Sequence, residues 1–306
     1  MQASFNPDSS GTGANRLERI PNLKLNDGYE MPTLAYGLGT ARSKDESEKT
    51  MNLTVMAIKN GYYHLDGAES YRNEIELGTA IKESGVDRSK LFVTTKLQRL
   101  SGNVLSAFTR SLARLRLEYV DLYLIHSPFG VSSPEKLQEV WAMLEAIQQS
   151  GQARSIGVSN FSVAQLSTIL ETAEVTPAVN QIEYHPYLQH EPDGLLAFCR
   201  AKNIAVAAYG PLTAVTRARP GPCDETYAAL AEKYGVTEAD IALRWCLDQD
   251  IAVITTSSSE ERLQGYMSRL PTFKLTREEV ERIAEKGQQK HFRAYWTNRF
   301  AADDRW

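Results

Sequence analysis

Apolar and polar positions along this chain follow two patterns that alternate from residue 34 onward. Short apolar runs rich in valine and isoleucine are typical of strands that are buried on both faces. These runs predict strands at 34–41, 62–66, 91–96, 120–126, 153–159, 178–183, 204–210 and 251–256. The stretches between the runs carry apolar residues at helical spacing. They predict helices at 46–60, 73–84, 103–115, 134–149, 162–173, 191–202, 222–234, 237–248, 259–267 and 276–287.

Short polar motifs mark several of the predicted boundaries. Residues 26–28, Asn-Asp-Gly, stand between apolar residues and predict the turn of a β-hairpin within 22–35. Thr237 with Asp240 resembles a capping box at a helix start. Pro134 suits the first turn of the helix that it opens.

The alternation of strands and helices predicts a parallel sheet with right-handed helical crossovers. Counting from 34–41, there are eight strand–helix units, the number that closes a barrel. The alternative is an open doubly wound sheet, whose dinucleotide signature is a G-x-G-x-x-G turn. Gly37 and Gly39 match its first two glycines, but Arg42 stands at the third. We therefore predict an α/β fold, a (β/α)8 TIM barrel with an N-terminal β-hairpin, as a single domain over 21–306.

Composition excludes several classes of protein. The chain has 306 residues, enough to bury a large core, and no stretch of about 18 apolar residues for a membrane span. Its net charge of −4, without a long run of one sign, argues against a nucleic-acid or membrane-surface partner. The three cysteines are widely spaced and the five histidines lack zinc-site spacing, so we expect no metal and a reducing compartment, the cytoplasm. Residues 1–20 are polar, which predicts a disordered lead-in rather than a signal peptide.

Reactive or polar side chains stand where the predicted strands end. Asp66, Lys96 and His126 each close a strand, and successive members are thirty residues apart, about one strand–helix repeat. In a barrel these strand ends open onto one rim, where barrel enzymes keep their chemistry. Other strand ends carry Ser159, Asn160, Gln181, Glu183, Tyr209 and Ser257. The sequence thus predicts an active site at this rim.

Three of these side chains, Asp66, Lys96 and His126, together with Tyr71, suit proton delivery to a carbonyl oxygen. Taken singly, each has an ordinary role: Asp66 as a helix cap, Tyr71 and His126 as core residues, Lys96 as a solvated charge. Together, the four side chains form a proton donor. The ammonium of Lys96 should lower the pKa of the Tyr71 phenol, Asp66 should keep Lys96 charged, and His126 should donate a hydrogen bond to the substrate. No side chain supplies hydride, so a nicotinamide cofactor is the simplest source.

Six segments follow the motifs of the aldo-keto reductase family in order, and the resemblance extends from residue 34 to about residue 270. They are HLDGAESYRNE, LFVTTK, VDLYLIHSP, SIGVSNF, NQIEYHPY and AYGPL. The chain resembles that family over most of its length. The resemblance implies a barrel that binds NADPH in extended form, and a tetrad of Asp66, Tyr71, Lys96 and His126 with Tyr71 as the acid.

The resemblance also implies which residues bind the cofactor. Ser159, Asn160 and Gln181 would hold the nicotinamide carboxamide, and Tyr209 would stack on the ring. The other implied cofactor-binding residues are Gly39, Thr40, Gly210, Leu212, Thr256, Ser257, Ser258 and Arg262.

The chain departs from the family pattern at the cofactor's phosphates. Thr256 stands where the family often has a lysine for the 2′-phosphate, and Gly210 where it often has a serine. Arg262 matches the family's phosphate-binding arginine, and hydroxyls at a helix start also bind phosphate. NADPH is therefore favoured, with NADH possible.

Substrate choice is predicted from the loops. Only seven residues separate His126 from the helix at Pro134, where many relatives have a longer insertion, so we expect an open pocket that admits bulky or cyclic ketones. The pattern resembles the fungal branch that reduces conjugated polyketones and ketopantoyl lactone, which suggests a role in fungal secondary metabolism. We expect a small carbonyl substrate, possible α-dicarbonyls included, and a monomer or weak dimer. Candidate pocket walls are Leu97, Phe129, Tyr295 and Trp296.

Two other functions are compatible with a barrel of this kind. The first is an NADPH-binding redox sensor or partner subunit with little turnover, although a sensor has no need of the proton donor Tyr71. The second is an aldolase-like enzyme in which Lys96 forms a Schiff base. Asp66 at close range should keep Lys96 charged and non-nucleophilic, which disfavours that chemistry.

Overall fold

The strands form a closed barrel and a separate two-stranded ribbon. The structure, a computed structural model, describes residues 19–39, 42–43, 45–190, 194–301 and 304. The ribbon pairs β1 (Asn22–Lys24) with β2 (Glu30–Pro32) in antiparallel register. The barrel strands are β3 (Leu34–Gly37), β4 (His64–Asp66), β5 (Phe92–Leu97), β6 (Val120–Ile125), β7 (Ala153–Ser159), β8 (Val179–Glu183), β9 (Ala205–Tyr209) and β10 (Ile251–Thr255).

Helices follow the barrel strands and cover their outer face. They are α1 (Ser47–Lys59), α2 (Glu74–Ser84), α3 (Val104–Leu115), α4 (Pro134–Gln149), α5 (Val163–Leu170), α6 (Leu195–Ala201), α7 (Thr213–Thr216), α8 (Asp224–Tyr234), α9 (Glu238–Leu247), α10 (Glu260–Arg269) and α11 (Arg277–Gln288). Short 3₁₀ helices occur at Glu69–Tyr71, Arg88–Lys90 and Leu270–Thr272. Among the described residues, we find no helix with the length and apolar character that crossing a membrane requires.

The barrel closes through parallel pairing of its last strand with its first. Each strand from β3 to β10 pairs with the next along the chain, and β10 returns to β3 with Val253 opposite Leu34. The predicted (β/α)8 barrel and the predicted N-terminal hairpin are both confirmed. The strand predicted over 34–41 is shorter than expected and ends at Gly37, and residues 40 and 41 lie outside the described residues. The short helix α7 was not predicted, because four residues carry no helical period.

The hairpin covers the N-terminal end of the barrel. Asn26 donates a side-chain hydrogen bond to the carbonyl of Pro177, just before β8, at 3.0 Å. Leu25 and Met31 are buried against the apolar side chains that point into the barrel from its strands. The opposite, C-terminal end is therefore the one left open for a site.

Side chains along each barrel strand alternate between the barrel interior and the helix layer. In β5, Phe92 belongs to the interior cluster, whereas Val93 and Leu97 belong to the larger core beneath the helices. Several helix starts in that outer layer have a side-chain N-cap, and Thr237 with Asp240 forms the predicted capping box at α9. The strand register thus decides which polar residue at a strand end faces the site.

Candidate active site

A buried ion pair lies at the C-terminal ends of β4 and β5. Lys96 Nζ lies 2.6 Å from Asp66 Oδ1 and donates a second hydrogen bond to the carbonyl of Gly67 at 2.9 Å. Lys96 is fully buried and Asp66 is 2% exposed. Because a buried charge is costly without a partner, this pair fixes both side chains in place.

The Tyr71 phenol is the third member of this group. It ends the 3₁₀ helix Glu69–Tyr71, and its hydroxyl lies 3.4 Å from Lys96 Nζ. Two buried contacts set the path of the chain around it. Asn73 donates its side-chain amide to the carbonyl of Leu38 at 2.9 Å, and Glu74 is paired with Arg114 at 2.6 Å. The phenol and the ammonium are thus held next to each other.

Burial controls the ionisation of this group. Burial raises the pKa of Tyr71 above its ordinary value, although the Lys96 ammonium opposes the rise. For Lys96, burial lowers the pKa, but the Asp66 carboxylate and Tyr71 outweigh this effect, and the net pKa is raised. The lowered pKa predicted for Tyr71 is therefore wrong here, because desolvation outweighs the ammonium. The phenol stays protonated, which is the form that donates a proton.

His126 follows the last residue of β6 and lies beside the phenol. Its ring centroid is 5.5 Å from that of Tyr71, in an edge-to-face arrangement. Asn160, whose backbone has a left-handed φ of 62°, donates its side-chain amide to the carbonyl of His126 at 2.9 Å. Burial, with a smaller effect of the Lys96 ammonium, lowers the pKa of His126 to about 3, so the imidazole is neutral near pH 7.

A second set of polar side chains joins this group from β7, β8 and β9. Gln181 Nε2 donates to the remaining carboxylate oxygen of Asp66 at 2.8 Å, and the hydroxyl of Ser159 donates to the carbonyl of Gln181 at 2.8 Å. The Tyr209 hydroxyl donates to Asn160 Oδ1 at 2.5 Å. Of the residues predicted to hold a nicotinamide, Gln181 thus contacts the ion pair directly, and Ser159 is connected to it through Gln181.

An open cavity of about 470 Å³ has these side chains in its wall. Gly39 lines it, and a Cβ at that position would lie 3.1 Å from Tyr71 Cζ and 3.2 Å from its hydroxyl. Glycine therefore leaves room for a flat ring beside the phenol, which fits a nicotinamide. Of the predicted cofactor-binding residues, those in the cavity wall are Gly39, Ser159, Asn160, Gln181, Tyr209, Gly210, Leu212 and Thr256. Thr40 lies outside the described residues.

Comparison with known proteins decides the family. The model of the Aldo/keto reductase family matches residues 33–288. The chain belongs to the aldo/keto reductase family. It is similar to the NAD/NADP-dependent indole-3-acetaldehyde reductase of Schizosaccharomyces pombe, with 37% identity over 273 residues, covering 88% of this chain and 96% of that protein. It is also similar to the NADPH-dependent alpha-keto amide reductase of Saccharomyces cerevisiae, with 37% identity over 290 residues, covering 89% and 93%.

Solved structures agree with this membership. The aldo-keto reductase of Bombyx mori, in complex with NADP, has a TM-score of 0.79 and 36% identity, over 88% of this chain and 93% of that one. An aldo/keto reductase from Brucella melitensis has a TM-score of 0.78 and 35% identity, over 87% and 99%. As a member of the family, the chain is an oxidoreductase that acts on carbonyl groups, and both named yeast relatives use NAD(P)H.

The predicted phosphate end of this aldo/keto reductase lies at the start of α10. Ser259 caps that helix by accepting a hydrogen bond from the backbone of Arg262 at 3.2 Å. The Arg262 guanidinium donates to the Ser257 hydroxyl at 3.4 Å. A guanidinium, two hydroxyls and a helix N-terminus thus lie together, which is a chemically suitable set for a phosphate. Ser258 is exposed between them.

The C-terminal segment carries two of the predicted substrate residues to the cavity. Tyr295 and Trp296 both line it, and Phe129 packs on Trp296 with ring centroids 5.4 Å apart. Gly210 has a left-handed φ of 66°, and a Cβ there would lie 3.0 Å from the Tyr295 ring. Leu97 is different. It follows Lys96 in β5 and therefore points to the opposite face, into the core beneath the helices and away from the cavity.

Glu183 makes contacts that were not predicted from the sequence. Its buried carboxylate accepts hydrogen bonds from the backbone of Ala294 at 2.7 Å and of Tyr295 at 3.1 Å. A third contact comes from His185 at 3.1 Å. The available signal was a carboxylate at the end of the apolar strand β8, but the sequence does not indicate that its backbone partners lie 111 and 112 residues further along the chain. This carboxylate anchors the segment that carries Tyr295 and Trp296.

Proposed function

We propose that this enzyme reduces an aldehyde or ketone to the alcohol with NADPH, and that Tyr71 donates the proton. The observation that carries the proposal is the 3.4 Å distance between Lys96 Nζ and the hydroxyl of Tyr71, whose side chain lines an open cavity. The Asp66 carboxylate, 2.6 Å from Lys96, supports the proposal by holding the ammonium charged.

A bound nicotinamide supplies the hydride in this reaction. The chain's own residues orient the carbonyl and deliver the proton. His126 and Tyr71 both donate hydrogen bonds to the carbonyl oxygen, and Tyr71 transfers its proton as negative charge develops there. The Lys96 ammonium stabilises the phenolate that remains. Neutral His126 is the suitable form, because a second cation beside Lys96 would be repelled.

Residues that would hold the cofactor are those at the strand ends of β7 to β10. Gln181 uses its amide nitrogen for Asp66, which leaves its amide oxygen to accept from the nicotinamide carboxamide. Ser159 and Asn160 offer further polar groups, and Tyr209 offers a ring face. Arg262 with the neighbouring hydroxyls would bind the 2′-phosphate, which favours NADPH over NADH.

We infer that the substrates are aldehydes and activated ketones, α-dicarbonyl and cyclic ones included. Relatives that reduce indole-3-acetaldehyde and α-keto amides support this range. Trp296 in the cavity wall, with Phe129 packed against it, favours flat or apolar groups. We also infer a reducing, cytoplasmic location, because all three cysteines are unpaired and buried. A monomer or weak dimer is consistent with the few large apolar side chains exposed among the described residues.

The proposal is tested by following NADPH oxidation with a panel of carbonyl compounds. The panel contains indole-3-acetaldehyde, glyoxal, an α-keto amide, a conjugated polyketone and ketopantoyl lactone, each run with NADPH and with NADH. We expect turnover with at least one class and a lower Kd for NADPH than for NADH. Tight NADPH binding without turnover on any of them would contradict the proposal and favour a cofactor-sensing role.

A further inference from the structure

The short 3₁₀ helix that carries Tyr71 also carries a residue aimed at His126. Ser70 Oγ lies 3.1 Å from His126 Nδ1, and the half-buried Ser70 lines the same cavity. Within the described part of the chain, this is the hydrogen bond we find for the Ser70 hydroxyl and for the His126 ring. Of the two groups proposed to face a substrate carbonyl, Tyr71 is one, and the residue before it, Ser70, contacts the other, His126.

A neutral imidazole has one ring proton, and its position decides what His126 can do. If the proton is on Nε2, the ring donates to a carbonyl oxygen. If it is on Nδ1, Nε2 presents a lone pair to that oxygen, and two acceptors face each other. Only the first tautomer can orient the substrate.

We propose that Ser70 is a positioning residue that donates its hydroxyl proton to His126 Nδ1 and thereby keeps the ring proton on Nε2. The inference rests on the proposed reduction for its catalytic consequence. It concerns Ser70, to which no role is assigned above.

The direction of this hydrogen bond follows from the contacts of Ser70. Were Nδ1 the protonated atom, Ser70 Oγ would accept, and its own proton would need another acceptor. Among the described residues we find none within hydrogen-bond distance of that hydroxyl. With Ser70 as donor, the hydroxyl proton and the Nδ1 lone pair are paired with each other, whereas the other arrangement leaves the hydroxyl proton without an acceptor among the described residues. The carbonyl substrate then takes the Nε2 proton.

The kinetic test compares Ser70→Ala, which removes the donor, with Ser70→Thr, which keeps it. For a substrate found in the NADPH oxidation panel, we expect Ser70→Ala to lower kcat/KM about tenfold, as loss of one hydrogen bond allows. Ser70→Thr should stay within about twofold of the wild type. The Kd for NADPH and the thermal midpoint should be unchanged in both variants. Equal kcat/KM in Ser70→Ala and wild type would overturn the proposal.

The second test reads the tautomer directly and does not depend on turnover. Nitrogen NMR of histidine-labelled protein saturated with NADP⁺ separates protonated from unprotonated ring nitrogens, and a His126→Gln sample assigns the signals. We expect a protonated Nε2 in the wild type and in Ser70→Thr, and a mixture of tautomers in Ser70→Ala. A protonated Nδ1 in the wild type would overturn the proposal even if Ser70→Ala failed to fold. A wild type that reduces no carbonyl would instead contradict the proposed function, whatever the tautomer.

Discussion

Lys96 Nζ lies 2.6 Å from Asp66 Oδ1, and both side chains are buried at the ends of neighbouring barrel strands. Such a pair is costly to separate, because removal of one partner leaves the other charge in a medium of low polarity. The pair therefore affects the stability of the barrel as well as the ionisation of Tyr71. The two effects are separable by mutation.

Lys96→Met should destabilise the protein by about 3–5 kcal/mol, since it leaves the Asp66 carboxylate buried without its cation. Urea unfolding measures the change. The double variant Asp66→Asn with Lys96→Met should recover at least half of the loss, because neither charge remains. Turnover should stay abolished in both. A double variant that is less stable than Lys96→Met alone would contradict the assigned role of the pair.

The low pKa of His126 predicts a loss of stability in acid. Folding lowers this pKa from 6.5 to about 3, so the unfolded state binds more protons between these values. The stabilisation is complete above pH 6.5 and is lost as the pH falls, by about 1.4 kcal/mol per pH unit for one such group. His126→Asn should therefore show a shallower fall of unfolding free energy from pH 6 to pH 4. Identical slopes in urea unfolding would mean that His126 titrates normally.

Cofactor preference should respond to Arg262 and Thr256. Arg262→Ala should raise the Kd for NADPH by about ten- to hundredfold, the value of a charge-assisted hydrogen bond, and leave NADH almost unchanged. Thr256→Lys should act in the opposite direction, because it adds a cation where relatives often have one. Fluorescence titration gives both constants. An equal effect on NADPH and NADH would show that Arg262 does not contact the 2′-phosphate.

Glu183 should control the shape of the substrate site, because it anchors the segment that carries Tyr295 and Trp296. Glu183→Gln keeps the size of the side chain but replaces one acceptor oxygen by a donor, which faces a backbone N–H of Ala294 or Tyr295. We expect KM for a bulky ketone to rise about tenfold, with a smaller change for glyoxal. Glu285→Gln, at an exposed position of α11, is the matched control. Equal changes for both substrates would argue against the anchoring role.

Much of the barrel and of the site was predictable from strand periodicity. Asp66 is the last residue of β4, Lys96 the last but one of β5, and His126 the residue after β6. Parallel pairing brings these strand ends to one rim, whatever the conformation of the loops. Leu97 shows that a motif alone does not tell which face of a strand a residue occupies. Its neighbour Lys96 points into the barrel, toward Asp66 and the Tyr71 hydroxyl, so Leu97 has to face the helices, and the period of two was enough to predict this.

Other features depend on parts of the chain that have no regular pattern of apolar and polar positions. The contact of Glu183 with Ala294 spans 111 residues and depends on the path of an irregular C-terminal segment. The contact of Ser70 with His126 depends on a 3₁₀ turn of three residues, which local sequence does not determine. The direction of the Tyr71 pKa depends on the depth of burial, which a motif does not give.

The most direct test of the account is Tyr71→Phe, which removes one hydroxyl and keeps the ring. With a substrate that the wild type reduces, the account predicts that single-turnover NADPH oxidation falls by about 10²–10⁴-fold, the usual contribution of a positioned proton donor. The Kd for NADPH should stay within about twofold of the wild type, because the phenol's proton is not needed for binding. Reduction by Tyr71→Phe at close to the wild-type rate would contradict the account.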